Sequence, residues 1–172
     1  MYEFSFDLME WLSSPAISLA VLSVSIGAFC FRYQNRKKIW LDQARKVFST
    51  VGSGTANANI VRVYNHSDYP VYDVIVLQCR NGKESFGGLH SIDAKHVLDT
   101  RYIGFILPGN IHEIEMTNQG KEMNQSGMAG IFFRDYAGKE WFRSSLGEIK
   151  RIKNYQSLLE KKGIMHITQG IM

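Results

Sequence analysis

Two groups of residues in this chain are of types that could do chemistry. His90, Asp93 and His96 recur at intervals of three in HSIDAKH, and on a helical turn two imidazoles and a carboxylate could converge on a divalent metal. A metal centre needs further ligands and partners that orient them, and the neighbouring sequence supplies neither, so segment 84–98 reads as a solvated polar loop. His66, Ser67 and Asp68 are the residue types of a hydrolytic triad. Adjacent residues rarely converge on one another, and no nucleophile elbow surrounds the serine. A turn held by local Asx- and Ser-type hydrogen bonds before Pro70 is the simpler reading. Gly52-Ser53-Gly54 lacks the spacing and the Lys-Ser/Thr of a phosphate-binding loop. No catalytic, cofactor-binding or metal-binding residue is therefore assigned. Structural roles are expected elsewhere: Tyr72-Asp73 pinning a sheet edge, Asp135 capping a turn, Arg143 pairing charge across a hairpin, and Trp141 filling the core. Met116, Met123 and Met128 flank a Gly/Asn/Gln-rich stretch and offer an adaptable contact surface.

The elements that would position these residues are strands. From Asn59 the hydrophobic period becomes strand-like. NIVRVYN (59–65) is one strand, and VYDVIVLQC (71–79) is β-branched on both faces, as a central strand would be. RNGK (80–83) carries an Asn-Gly turn. RYIGFIL (101–107) and IHEIEM (111–116) flank Pro108-Gly109-Asn110, where Pro presets φ and Gly supplies φ > 0. MAGIFFRD (128–135) and KEWFRS (139–144) flank a hairpin turn closed by Gly138, which sets Phe133 opposite Trp141. Short strands at near-regular spacing with no helix between them predict an antiparallel β-sandwich over 59–152. GEIKRIKNYQSLLEKK (147–162) is either a closing strand or a short helix, its later part favouring the helix, so 153–172 is read as a C-terminal helix and tail.

The N-terminal third is different. Leu12 to Phe31 is a 20-residue run without a charge, and as a helix it spans roughly 30 Å, the thickness of a bilayer's hydrocarbon core. Residues 1–31 carry only Glu3, Asp7 and Glu10, whereas 32–51 carry Arg32, Arg36, Lys37, Lys38, Arg45 and Lys46 against Asp42. A signal peptide has the opposite arrangement, basic before the apolar run. The expectation is a short external N-terminus (1–11), a transmembrane helix (12–31) and a basic amphipathic juxtamembrane helix (32–51) with its stripe at Trp40, Ala44, Val47 and Val51. A linker (52–58) then leads to the sandwich. Basic residues beside a span stay in the cytoplasm, so Arg32, Arg36, Lys37 and Lys38 orient the β domain inward. Cys30 in the span and Cys79 in a strand suit a reducing compartment with no disulfide. The 121 residues beyond 51 hold 14 basic and 12 acidic side chains, too even a balance for a nucleic-acid-binding body.

NHSDYPVYDVIV, then LPG, then FRDYAGKEWFRSSLGEI resemble a group of uncharacterised bacterial single-pass membrane proteins with a C-terminal immunoglobulin-like sandwich. The group's first pattern, Asn-x-Ser-x-x-Pro-Val-Tyr-Asp-Val, is matched by Asn65, Ser67, Pro70, Val71, Tyr72, Asp73 and Val74. The middle Leu-Pro-Pro-Gly departs, keeping Pro108 and Gly109 but only one Pro. Phe133, Asp135, Gly138, Trp141 and Arg143 follow the last pattern with a shortened first gap. The resemblance covers about two thirds of the chain; it implies an immunoglobulin-like fold and a single-pass topology, and no reaction.

The fold expected is mainly β: an N-terminal transmembrane helix extended by a juxtamembrane helix, then an antiparallel immunoglobulin-like sandwich with a short C-terminal helix. The function expected is a non-catalytic, membrane-anchored interaction module that needs no cofactor. Its partners would be the anionic bilayer surface and a protein bound by loops or a free sheet edge, with self-association through the span or juxtamembrane helix as a further possibility. Two alternatives stand beside it. One is a membrane-tethered metal-dependent or hydrolytic module using the 90–96 loop. The other is a small accessory subunit held through Ser14, Ser18, Ser25 and Gly27 of the span.

Overall fold

The computed structural model describes residues 15–52, 54, 58–79, 92, 94–117 and 128–164. Helix α1 (Pro15–Arg45, 31 residues) opens on a proline, whose fixed φ and missing N–H suit a first helical position. The chain divides into two compact units, Met1–Ile39 and Trp40–Met172. Within the first, Leu19, Val21, Leu22, Val24, Ile26, Phe29 and Phe31 are all exposed. This helix is long and apolar enough to cross a membrane, and none of its apolar window is buried in protein. Ser23 and Ser25 donate their hydroxyls to the carbonyls of Ala20 and Val21 at 2.8 and 2.7 Å, so neither leaves an open donor on an apolar surface.

The second unit begins with the last residues of α1 and is mainly β. Strands β1 (Val47–Gly52), β2 (Ala58–Asn65) and β5 (Ile111–Thr117) form one antiparallel sheet in the order β1-β2-β5. The other strands are β3 (Val71–Cys79), β4 (Val97–Ile106), β6 (Met128–Arg134), β7 (Glu140–Arg143) and β8 (Ile149–Ile152). They form a second antiparallel sheet, β4-β3-β6-β7-β8. Val47, Val61, Val63 and Met116 from the first sheet pack with Val74, Val76, Ile131, Phe133 and Trp141 from the second, and Ala44 of α1 joins them. The other face of the larger sheet, with Ile75, Leu77, Phe132 and Phe142, is covered by Ile92 and by helix α2 (Tyr155–Lys161) through Tyr155 and Leu159.

Several sequence expectations hold in register. Phe133 lies opposite Trp141 across the β6–β7 hairpin. Gly109 and Gly138 take φ of 73° and 72° in their turns. Residues 149–152 close the sheet and 155–161 are helical, with the Asn154 side chain accepting from the Ser157 N–H as an N-cap.

The juxtamembrane helix expected over 32–51 stops at Arg45, and Val47–Gly52 is a strand. Val47 and Val51 are four apart, which satisfies a helical turn and a strand alternation equally, and six residue pairs with β2 decide for the strand. The folded unit thus begins at Trp40 rather than Asn59. In the expected linker, Gly52 ends β1 and Ala58 begins β2. The strand placed at 101–107 starts earlier, at Val97, after a short 3₁₀ turn at Ala94–His96. The Asn-Gly turn at 80–83 and residues 12–14 of the expected span lie outside the described residues.

Candidate functional site

The motif residues of the sequence converge at one end of the β domain. Asn65, fully buried at the end of β2, is their hub. Its Nδ2 donates to the carbonyls of Tyr69 and Ile106, both at 2.9 Å. Its Oδ1 accepts from the Ser67 N–H at 3.1 Å and the Ser67 hydroxyl at 2.6 Å. Through its backbone, Asn65 accepts from the Gly109 N–H at 2.7 Å and donates to the Asn110 carbonyl at 3.0 Å. One side chain thus ties the β2–β3 turn to the β4–β5 turn, which is why Asn65, Ser67, Pro70, Pro108 and Gly109 form one structural unit. His66-Ser67-Asp68 is part of that turn. The His66 N–H reaches the Lys46 carbonyl at 3.0 Å, Ser67 is spent on Asn65 and on Tyr69 O, and Asp68 pairs with Lys46 at 3.4 Å.

The end of α1 docks here too. Gln43, buried, donates to the Pro70 carbonyl at 3.2 Å. Lys139 of the β6–β7 turn sits 5.1 Å above the Trp40 ring, and Tyr69 stacks on Tyr136 at 4.2 Å. Gln43 carried no signal in the sequence, because a lone polar residue beside an apolar stripe reads as solvent-facing.

Asp135 and Trp141 form a second structural pair. The Asp135 carboxylate accepts from the Ala137 and Lys139 N–H groups at 2.9 and 2.7 Å, capping the Gly138 turn as expected. It also accepts from the Trp141 indole N–H at 2.9 Å. That bond is what lets an indole lie 6% exposed in the core without an orphaned donor.

Three expectations are corrected. Tyr72-Asp73 does not sit on an edge: β3 is flanked by β4 and β6. Asp73 has φ 49° at an irregularity in the β3–β6 register, which turns its carboxylate outward to Arg134 and to the Tyr102 hydroxyl at 3.0 Å. The Tyr155 hydroxyl of α2 donates to the Asp73 carbonyl at 2.5 Å. Burial raises the Tyr155 phenol's pKa, and the Asp73 and Glu140 charges raise it further. Tyr102 is raised by burial and then by its bond to Asp73. Among the described residues Arg143 makes no cross-strand charge pair; its Nη1 donates to the Arg45 and Val47 carbonyls, the latter at 3.1 Å, capping the end of α1. Partial burial there lowers its pKa. Met116 belongs to the buried core, not to a contact surface, because it lies on the inward face of β5. Met123 lies outside the described residues.

At the far end of the larger sheet, both amide atoms of Gln78, Thr100 Oγ1 and His96 Nδ1 are buried without a hydrogen-bond partner among the described residues. His90 and Asp93 lie outside the described residues, and among the described residues no three His, Cys, Asp or Glu gather as a metal-binding set. Arg32, Arg36, Lys37 and Lys38 are exposed on α1. No protein-family model and no curated protein sequence matches the chain.

Proposed function

We propose that this chain is a non-catalytic, single-pass membrane protein that holds an immunoglobulin-like sandwich in the cytoplasm as an interaction module. The observation that carries it is a helix whose apolar run is exposed, with basic side chains on the same helix directly after that run and the β domain beyond. The strand orders β1-β2-β5 and β4-β3-β6-β7 support the immunoglobulin-like assignment, since they match strands A-B-E and C′-C-F-G of that fold. The buried Trp on the seventh strand, with β8 and α2 added beyond it, departs from the antibody pattern.

Edge strands distinguish where a partner segment would pair. Strand β8 has four residues, with Lys150 and Arg151 exposed, and charge guards an edge against pairing. Strand β4 has ten, pairs only with β3 among the described residues, and exposes Tyr102, Gly104 and Phe105. A peptide adding to β4 would gain main-chain hydrogen bonds, with Tyr102 and Phe105 selecting its side chains. The topology is tested by fusing after Met172 a reporter that is active only outside the cell. Silence is expected, and replacing Arg32, Arg36, Lys37 and Lys38 by Gln should scramble it. Strong activity from the wild-type fusion removes the cytoplasmic assignment.

A further inference from the structure

One end of the β domain gathers exposed apolar side chains that the core does not use. Tyr69 (43% exposed) and Tyr136 (42%) stack on each other from two different turns, and Leu107 (50%) projects from a third. Asn65 and Gln43 hold two of these turns to each other and to the residues of α1 that belong to this unit. This is also the end at which the chain enters the domain, at Trp40. The entry point follows the last residue of the uncharged run, Phe31, by nine positions. That separation is about 13 Å along a helix and at most about 30 Å fully extended.

We infer that this turn cluster of Tyr69, Leu107 and Tyr136 lies against the interfacial region of an anionic bilayer; this rests on the membrane-anchored reading above. Tyrosine suits the headgroup layer, where its ring is apolar and its hydroxyl stays wet. Beside the cluster, Lys46 pairs with Asp68 at 3.4 Å, so this exposed pair sets no net negative charge against an anionic surface. In the sequence, Arg32, Arg36, Lys37 and Lys38 precede the entry point at Trp40, and such a run of charge is drawn to anionic lipid. Docking of this end would present the opposite end of the sandwich to the cytoplasm.

The test uses the full chain in phosphatidylcholine–phosphatidylserine vesicles, with Cys30→Ala so that only an introduced thiol takes a nitroxide label; Cys79 is buried. Labels are placed at Leu107→Cys or Tyr136→Cys, and at Thr117→Cys as a control. Thr117 is exposed at the other end of β5, six residues from Ile111, or about 20 Å along the strand. At 107 and 136, collision with a water-soluble nickel chelate should be lost and collision with oxygen gained; at 117 the reverse should hold. If the chain resists alkaline extraction but 107 and 136 meet the chelate as freely as 117, the docking inference falls while anchoring stands. A chain extracted by alkali overturns both. Dipolar broadening between Leu107→Cys labels that disappears on dilution with unlabelled chain overturns the inference in favour of contact between copies.

Discussion

Replacing Asn65 by Ala removes, from a fully buried site, its side-chain contacts to the Tyr69 and Ile106 carbonyls and to the Ser67 N–H and hydroxyl. Their cost is unequal. The Ser67 hydroxyl and the Tyr69 carbonyl keep each other at 2.7 Å. The Ser67 N–H and the Ile106 carbonyl lose the Asn65 partner, and each buried group left unmade costs ~1–3 kcal/mol. The expected loss is therefore about 3 kcal/mol, a large share of the ~5–15 kcal/mol typical of a domain, and it should lower Tm by roughly 10 °C. Asn65→Asp separates hydrogen bonding from shape, because a carboxylate can still accept from Ser67 but cannot donate to two carbonyls. Facing those oxygens, its folded-state pKa rises above the unfolded ~3.9. The folded state then binds the extra proton, so stability falls as pH rises from about 4 toward neutrality and recovers on acidification. Chemical denaturation of the full chain in detergent at pH 7 and pH 5, read by near-ultraviolet circular dichroism, measures both. If Asn65→Ala costs under ~0.5 kcal/mol, the level of an ordinary surface change, or if Asn65→Asp matches the wild type at pH 7, the hub account is wrong.

Trp141→Ala should cost about 3–5 kcal/mol by cavity formation and abolish cooperative unfolding, while Trp141→Phe leaves Asp135 without its indole donor and should cost less; a stable, cooperative Trp141→Ala protein would show that the core does not depend on this residue. Tyr155, whose pKa is raised in the folded state, contributes stability that is present in full below the unfolded pKa of ~10 and is lost above it at up to ~1.4 kcal/mol per pH unit. Denaturant midpoints between pH 9 and 11 should fall accordingly, and Tyr155→Phe should flatten that slope at a cost of about 1–3 kcal/mol for the unpaired Asp73 carbonyl. A fragment covering 38–172 should unfold cooperatively, whereas one covering 54–172, which lacks β1, Ala44 and Val47, should aggregate or melt without a transition; equal behaviour of the two would show that β1 is dispensable.

Local pattern by itself determined much of this protein. Twenty uncharged residues with a basic flank specify a membrane-length helix, because length and charge are properties of a single segment. Gly109 and Gly138 mark turns through the φ they permit, and a short turn fixes a hairpin's register, so Phe133 opposite Trp141 was readable from the gap between them.

What only tertiary structure decided involves partners far apart in the chain. The four-residue spacing of Val47 and Val51 suits a helix and a strand alike, and β2 chose the strand. Arg143 caps a helix that ends 98 residues earlier, so nothing near it in sequence could reveal that role. Asp73 stands in a central strand because β4 and β6 both pair with β3, one on each side. The Asn65 motif could be seen as a turn, but not as the joint between two turns, because the Ile106 carbonyl that completes it arrives 41 residues later. Secondary structure follows from short-range sterics and periodicity, whereas which buried donor meets which acceptor is settled only when the sheets close.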